Sequence, residues 1–367
     1  MSISNFKNND VAIIQPFVPH YRKKFFQKLS QKINFDLYVY QDVEYLSTNG
    51  FYTSDFPVFY LKKICIGKLI LYNIFPLLKK YNTIILCGEL KLITNWLIII
   101  YSRIFGVKII VWGHGIRVQK YNQEQIHTSK FMKLMYKFSD LAWFYTESEK
   151  IMWTNRIPNL KSISLNNTIE YFSFNKIFTS TQLVEIKKRN KIYTEINLIF
   201  CARFNSNIRR IDLLNRLIQS LDAKKFGLIV IGDGKYKSDL IKSKNVYDFG
   251  SVYDDLIKSE LFSIADIYFQ PAGCGLSVVE AMAYGKPVFT IERRCDIVQG
   301  VEYGYIKDEL NGKIFHNIDE ITNYLNNSSK FKIQTLGFGA KNYYDNNLSM
   351  NKMVDTAINS FKLLERI

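Results

Sequence analysis

The residues best suited to chemistry lie in the segment Pro271-Ala272-Gly273-Cys274-Gly275-Leu276-Ser277-Val278-Val279-Glu280-Ala281-Met282-Ala283-Tyr284-Gly285-Lys286-Pro287-Val288. Two glycines bracket Cys274 just after the short apolar run Asp266 to Gln270. Leu276 to Ala283 then holds no helix breaker before Gly285, and Pro287 opens the next apolar run. The order predicts strand, loop, helix, strand. A helix that starts just past a strand's carboxyl end aims free backbone N–H groups and the positive end of its dipole at a ligand, which suits an anion. Glu280, about one turn further along, only accepts hydrogen bonds and suits sugar hydroxyls while the loop holds phosphate. Phosphate beside ribose implies a nucleotide. A second candidate is His114 in Trp112-Gly113-His114-Gly115. Flanking glycines free the backbone to bring the imidazole against a ligand, the alternative being a histidine that packs a loop.

Positioning these groups requires strands that end where the loops begin. Val11 to Ile14, Phe35 to Tyr40, Thr83 to Cys87, Val107 to Trp112 and Leu141 to Phe144 are short β-branched or aromatic runs. Helix-compatible segments separate them, among them Tyr21 to Ile33, Ile66 to Lys80, Leu90 to Phe105 and Phe131 to Ser139. The alternation restarts with Leu198 to Cys201, Phe226 to Ile231 and Val246 to Val252, with a helix over Asp255 to Ile264 and a closing helix over Met350 to Leu364. Strands alternating with helices predict doubly wound parallel sheets, and 367 residues predict two domains. The stretch Thr168 to Asn190 is rich in Lys and Asn and has no clear core pattern; the crossing between them is expected there because the preceding Ser162 to Glu170 resembles the exit from the first domain in a known two-domain family. Gly232-Asp233-Gly234 is a G-x-G without the further glycine of a dinucleotide fingerprint, so it identifies nothing alone.

Composition narrows the partners. Forty-seven per cent apolar residues exclude a disordered chain, and a net charge of +16 favours nucleotide diphosphates, anionic lipid headgroups or nucleic acid. Nucleic acid is disfavoured because aromatics do not interleave with basic residues in the manner of a known reader. The helix over Tyr21 to Ile33 sets Arg22, Lys23 and Lys24 against Phe25, Phe26 and Leu29, so it is expected to rest on an anionic membrane surface or simply to face solvent. The polar lead Met1 to Asp10 lacks a signal-peptide pattern, and the run Leu92 to Tyr101 is too short to span a bilayer. Cys65, Cys87, Cys201, Cys274 and Cys295 show no pairing pattern and are expected to be reduced, mostly buried thiols of a cytoplasmic protein. His20, His114, His127 and His316 lack ligand spacing, so no protein-held metal is expected.

The glycine segment resembles the donor-binding signature of the retaining GT-B glycosyltransferases, in particular glycosyltransferase family 4. It keeps Gly273, Gly275, Leu276, Glu280, Ala281, Met282, Ala283, Gly285, Pro287 and Val288, while Ala272 stands where the family has the first glutamate of a pair. Ala202-Arg203-Phe204 with Arg209-Arg210-Ile211-Asp212-Leu213-Leu214 resembles the family's Gly-Arg-Leu and Lys-Gly segments, and Glu309-Leu310-Asn311-Gly312 its Asn-Gly turn. The resemblance implies an α/β GT-B fold, two Rossmann-like doubly wound parallel-sheet domains facing a cleft. An acceptor-binding domain over 1–170 would take back the helix of about 350–367, and 171–349 would bind the donor. It further implies that Arg203 and Arg209 clamp the donor diphosphate, since two planar guanidiniums match paired phosphates. Gly273, Cys274, Gly275, Leu276 and Glu280 would complete the donor site, with Gly250 at the strand facing the nucleobase. His114 would contact a hydroxyl of the donor sugar, and His20, Tyr21 and Arg22 would lie on the acceptor side. The implied reaction is sugar transfer, with retention and no cofactor or metal, from a nucleotide-diphosphate sugar to a saccharide acceptor, expected to be lipid-linked, in bacterial surface polysaccharide or glycoconjugate synthesis. The protein would act in the cytoplasm or peripherally on the inner face of the membrane. A nucleotide-sugar epimerase on the same fold and an inactive, glycosyltransferase-like binding subunit are the alternatives.

Overall fold

The computed structural model describes residues 10–41, 55–171 and 176–365. The expectation for Met1 to Asp10 falls almost wholly outside them, as do the last two residues of the closing segment. Two compact units emerge, Met1–Ile169 with Met350–Ile367, and Glu170–Ser349.

The first unit is built on β1 (Val11–Gln15), β2 (Phe35–Val39), β3 (Phe59–Tyr60), β6 (Thr83–Cys87), β7 (Lys108–Trp112), β8 (Leu141–Phe144) and β9 (Ser162–Ser164). They pair in parallel in the order β3-β2-β1-β6-β7-β8-β9. Both faces of such a sheet are covered at its centre, so β1, β6, β7 and β8 are largely apolar runs rather than alternating ones. From β6 to β9 the chain steps in one direction across the sheet. Right-handed crossovers therefore set the helices Ile93–Phe105, Lys130–Lys137 and Glu147–Thr154 on one face. The step from β1 to β2 runs the other way and sets the helix Lys23–Ser30 on the opposite face. There the closing helix Met350–Ser360 joins it, with Lys28 Nζ donating to Asn351 Oδ1 at 2.7 Å and Lys32 paired to Asp355 at 2.8 Å. Trp143 Nε1 donates to Ser360 Oγ at 2.9 Å, and Phe25, Phe26 and Met353 share one core with Trp112 and Trp143.

Three local expectations for this unit are corrected. Ile66 to Lys80 is a hairpin rather than a helix: β4 (Lys63–Ile66) pairs antiparallel with β5 (Leu69–Tyr72), and Phe75–Leu77 is a single 3₁₀ turn. Gly67 turns the hairpin, and the period-two burial of Ile70 and Tyr72 is that of a strand. The first helix runs only from Lys23 to Ser30, preceded by a 3₁₀ turn over His20–Arg22. Arg22 is buried rather than part of a basic outer face.

The second unit holds β10 (Ile196–Cys201), β11 (Phe226–Ile231), β12 (Val246–Asp248), β13 (Ile267–Phe269), β14 (Val288–Ile291) and β15 (Gly312–Phe315), all parallel, in the order β12-β11-β10-β13-β14-β15. Strand order reverses between β10 and β13, which opens a crevice at their carboxyl ends. β12 stops at Asp248, short of Val252. Within Thr168 to Asn190 lies the helix Ser180–Arg189, closed at its start by a Thr179–Gln182 capping box, so much of that stretch is regular structure.

Candidate functional site

Two segments reach the β10–β13 crevice. From β10 the chain passes Ala202 and Arg203 to Phe204, which is buried edge-on against Phe200 at 5.5 Å. That anchor leaves Arg203 exposed at the strand end. A 3₁₀ turn over Asn207–Arg209 follows, and Arg209 Nη1 donates to the Gly273 carbonyl at 2.5 Å. Burial pushes the Arg209 guanidinium below its usual range, and the neighbouring Arg203 charge pushes the same way. Two close cations, one of them desolvated, make a site that an anion relieves.

From β13 comes the glycine loop. Gly273 adopts φ +71°, and a Cβ there would lie 3.0 Å from Arg209 Nη1, so both the turn and the arginine's approach require glycine. Two buried amides hold the loop. Gln270 Nε2 donates to the carbonyls of Ala272 and Gly273, while its Oε1 accepts from Tyr268 and from Ser277 Oγ. Gln299 Oε1 accepts the Cys274 N–H at 2.9 Å, and Gln299 Nε2 donates to Pro271 O and Ile291 O. The Gly273 N–H is bound to Val298 O. The Cys274 amide is thus engaged within the protein rather than presented to a ligand. The amides of Gly275, Leu276 and Ser277, at the start of the helix Leu276–Ala283, donate to no acceptor among the described residues. They are the groups that can bind an anion.

Glu280 lies on this helix, 5 % exposed, with Oε1 at 2.8 Å from Lys258 Nζ. Burial opposes the Lys258 charge, yet the Glu280 carboxylate holds its ammonium well above the usual lysine range. Lys258 Nζ also lies 5.4 Å from the centre of the Tyr171 ring. Nothing in the local sequence pattern marks Lys258, Gln270 or Gln299, because each acts on a partner from a distant segment. Burial raises the Cys201 thiol to about 12 and the Cys274 thiol to about 11, which makes both poor nucleophiles at neutral pH. Ala272 is fully buried in the core of this unit. Gly250 follows β12 at φ +61° and accepts the Gly232 N–H at 2.6 Å.

In the first unit, His114 follows β7, and its ring packs on Tyr145 at 4.1 Å. Gly115 has φ +66°, and a Cβ there would lie 2.4 Å from Trp153 Nε1, so the turn after His114 is open to glycine alone. Burial first, and then the charge of Arg22, lowers the His114 pKa to about 4, so its imidazole is neutral at pH 7. Its buried Nδ1 has no hydrogen-bond partner among the described residues. His114 lines a cavity of about 610 Å³ together with Gly88, Glu89, Gly115 and Arg117. Arg22 stacks over the rings of Trp112 at 5.3 Å and Tyr145 at 5.7 Å. The structure therefore brings Arg22 and His114 together. His20 is exposed and Tyr21 half-buried beside it, their rings edge-on at 5.5 Å. Among the described residues, no three His, Cys, Asp or Glu side chains are grouped as metal ligands. Cys65 and Cys295 are exposed, against the expectation of mostly buried thiols.

A sequence family described as Glycosyl transferases group 1 matches residues 195–323. None of the curated proteins matches the chain. Among solved structures, HepE of Anabaena in complex with UDP is 13 % identical, covering 96 % of this chain and 99 % of its own, with a TM-score of 0.67. A glycosyltransferase from Rickettsia africae is 13 % identical, with 98 % and 100 % covered and a TM-score of 0.67. WaaG, a glycosyltransferase involved in lipopolysaccharide biosynthesis, is 14 % identical, with 95 % and 98 % covered and a TM-score of 0.60. The chain has the GT-B fold of two Rossmann-like units, as the resemblance of its glycine segment implies, with the parallel doubly wound sheets that the alternation of elements predicts.

Proposed function

We propose that the protein is a retaining glycosyltransferase of the family 4 type that moves a sugar from a nucleotide-diphosphate sugar to a saccharide, lipid-linked acceptor. The observation that carries this reading is the convergence, at the strand-order reversal of the second unit, of Arg203, Arg209 and the open amides of Gly275, Leu276 and Ser277. HepE of Anabaena has been crystallised with UDP and with UDP and glucose, which supports a nucleotide-sugar donor in this crevice. Negative charge grows on the leaving diphosphate as the glycosidic bond breaks. Fixed cations and N–H groups aimed at it stabilise the transition state more than the ground state, so this reading invokes no metal or other cofactor. Glu280 takes ribose hydroxyls through the oxygen that Lys258 leaves open, and Gly250 lies at the strand end assigned to the nucleobase. His114 contacts a donor-sugar hydroxyl as a neutral imidazole. His20, Tyr21 and Arg22 lie on the acceptor side. No side chain is assigned as nucleophile, because same-face attack assisted by the departing phosphate needs none. The setting is synthesis of bacterial surface polysaccharide or glycoconjugate, in the cytoplasm or on the inner face of the membrane.

Ala272 favours a second reading. The side chain that stands in place of the first signature glutamate is sealed in the core, which would suit a subunit that binds donor without transferring it. The experiment that tests the main reading is calorimetric titration of nucleoside diphosphates and their sugars into wild type and Arg209→Ala, with turnover followed in parallel with and without chelator. Loss of one charge-assisted contact should weaken diphosphate binding roughly tenfold to a hundredfold. Unchanged affinity in a folded Arg209→Ala refutes the clamp. Donor binding without turnover for any acceptor selects the second reading, and activity abolished by chelator and restored by magnesium refutes the metal-free assignment.

A further inference from the structure

The basic helix after His20, one expected membrane contact, keeps Lys24 exposed but loses much of its basic face. Arg22 is buried, and Lys28 and Lys32 are engaged by the closing helix. The opposite face of the first unit has the required character. The helix Ile93–Phe105 turns Leu97, Ile100 and Ile104 outward, and the helix Lys130–Lys137 does the same with Phe131, Leu134 and Phe138. All six side chains are between 41 % and 71 % exposed. Each trio recurs at helical spacing, so each is one continuous stripe. The two helices lie on the same face of the sheet, and Arg103 Nη2 donates to the Phe138 carbonyl at 2.6 Å, joining their carboxyl ends. At the other flank, Lys79 N donates to Tyr101 Oη, which ties in the segment after the β4–β5 hairpin, whose Ile64 and Ile66 are more than half exposed.

Charge selects the occupant. Residues 59–81 carry Lys62, Lys63, Lys68, Lys79 and Lys80, residues 93–108 carry Arg103 and Lys108, and residues 126–139 carry Lys130, Lys133 and Lys137, and none of the three segments contains an Asp or Glu. Arg103, Lys108, Lys137 and Lys161 line a cavity of about 350 Å³ between the two helix ends. Asp140 is its one acidic neighbour; its carboxylate accepts the Ile109 N–H and lies 3.9 Å from Lys108 Nζ, which leaves Arg103, Lys137 and Lys161 as an excess of positive charge. The cavity sits at the amino-terminal edge of the sheet, away from His114. Apolar stripes beside a basic, headgroup-sized recess match lipid chemistry: acyl chains take the stripes, and phosphate takes the recess. Among the described residues no helix is long and apolar enough to cross a membrane.

We infer that the outer face of the helices Ile93–Phe105 and Lys130–Lys137, with the β4–β5 hairpin, docks the protein on an anionic bilayer. This deepens the proposed action on a lipid-linked acceptor and rests on that reading for its purpose, though not for its physics. The test is co-sedimentation with phosphatidylglycerol/phosphatidylcholine vesicles and with pure phosphatidylcholine vesicles, at low and high salt. It compares wild type, the double variant Ile104→Asp/Phe131→Asp, and Lys24→Glu on the opposite face. Both aspartates replace exposed side chains, and circular dichroism checks the fold. Wild type and Lys24→Glu should sediment alike with anionic vesicles and detach as salt rises, whereas the double variant should lose at least about tenfold in partitioning. Equal sedimentation of the double variant overturns the inference, and so does equal uptake by neutral vesicles. It is also overturned if light scattering shows a dimer that the double variant dissolves, since the face would then bind a second copy. Nucleotide titration on the same samples separates the two claims: vesicle binding without nucleotide binding removes the proposed function and leaves the docking face, and the converse removes the docking face alone.

Discussion

Lys258→Met should destabilise the second unit by about 3 kcal/mol near neutral pH. Methionine keeps most of the aliphatic stem and removes only the ammonium. In the wild type that ammonium lies 2.8 Å from Glu280 Oε1, and the two side chains are 17 % and 6 % exposed. Taking one partner from a buried pair leaves a desolvated charge, at a cost of roughly 3–5 kcal/mol, and the partial exposure of Lys258 places this case at the lower end. The pH dependence has a definite sign. In the wild type the folded pKa of Lys258 is raised, so the pair's contribution is complete below the ordinary lysine value and is lost only as pH rises through the raised one. The gap between the two proteins should therefore hold through neutral pH and begin to close only as pH rises above the ordinary lysine value of about 10.4. Trp96, Trp112, Trp143 and Trp153 all lie in the first unit, so tryptophan fluorescence follows that unit alone and far-ultraviolet circular dichroism follows both. In urea titrations the shifted transition should appear in circular dichroism and not in fluorescence. A variant as stable as wild type, or a gap that stays constant into strong alkali, refutes the buried pair.

Two further outcomes follow from the same geometry. The His114 imidazole, displaced to about 4 by burial and by Arg22, should titrate there in proton NMR, and its protonation should cost stability as pH falls from about 6.5 to 4, where only the unfolded chain takes the proton. A resonance lost in His114→Gln that titrates in the ordinary histidine range refutes that burial. Ala272→Glu should lower the second unit's unfolding transition by several kcal/mol, because it forces a carboxylate into a fully buried site in the core, and should create no activity. Retention of wild-type stability by that variant shows that the position opens to the donor crevice instead.

What could be read in advance divides by the range of the interaction. The helices Leu276–Ala283 and Asp255–Ile264 and the strands Leu141–Phe144 and Phe226–Ile231 have the bounds their apolar runs and breakers predict. Those signals are local: a glycine, a proline or the end of an apolar run terminates an element whatever packs against it. The hairpin in Ile66 to Lys80 was hidden because a short apolar stretch satisfies helical and strand periods alike. Arg22 reads as part of a basic stripe, and partners far along the chain, the rings of Trp112 and Tyr145 and the Met353 sulfur, turn it inward. The glycine-loop end of the candidate site belongs to the legible class, since a glycine loop opening a helix follows from adjacent residues. Its polar support does not, because Gln299 takes the Cys274 amide and Lys258 takes one oxygen of Glu280 from segments that no local pattern links to them. This division changes the chemistry expected of Glu280. A carboxylate already sharing one oxygen with a buried ammonium is fixed in charge and orientation by the protein itself, so under the proposed function it would offer ribose one prepared acceptor in place of two free ones, with Lys258 supporting that contact.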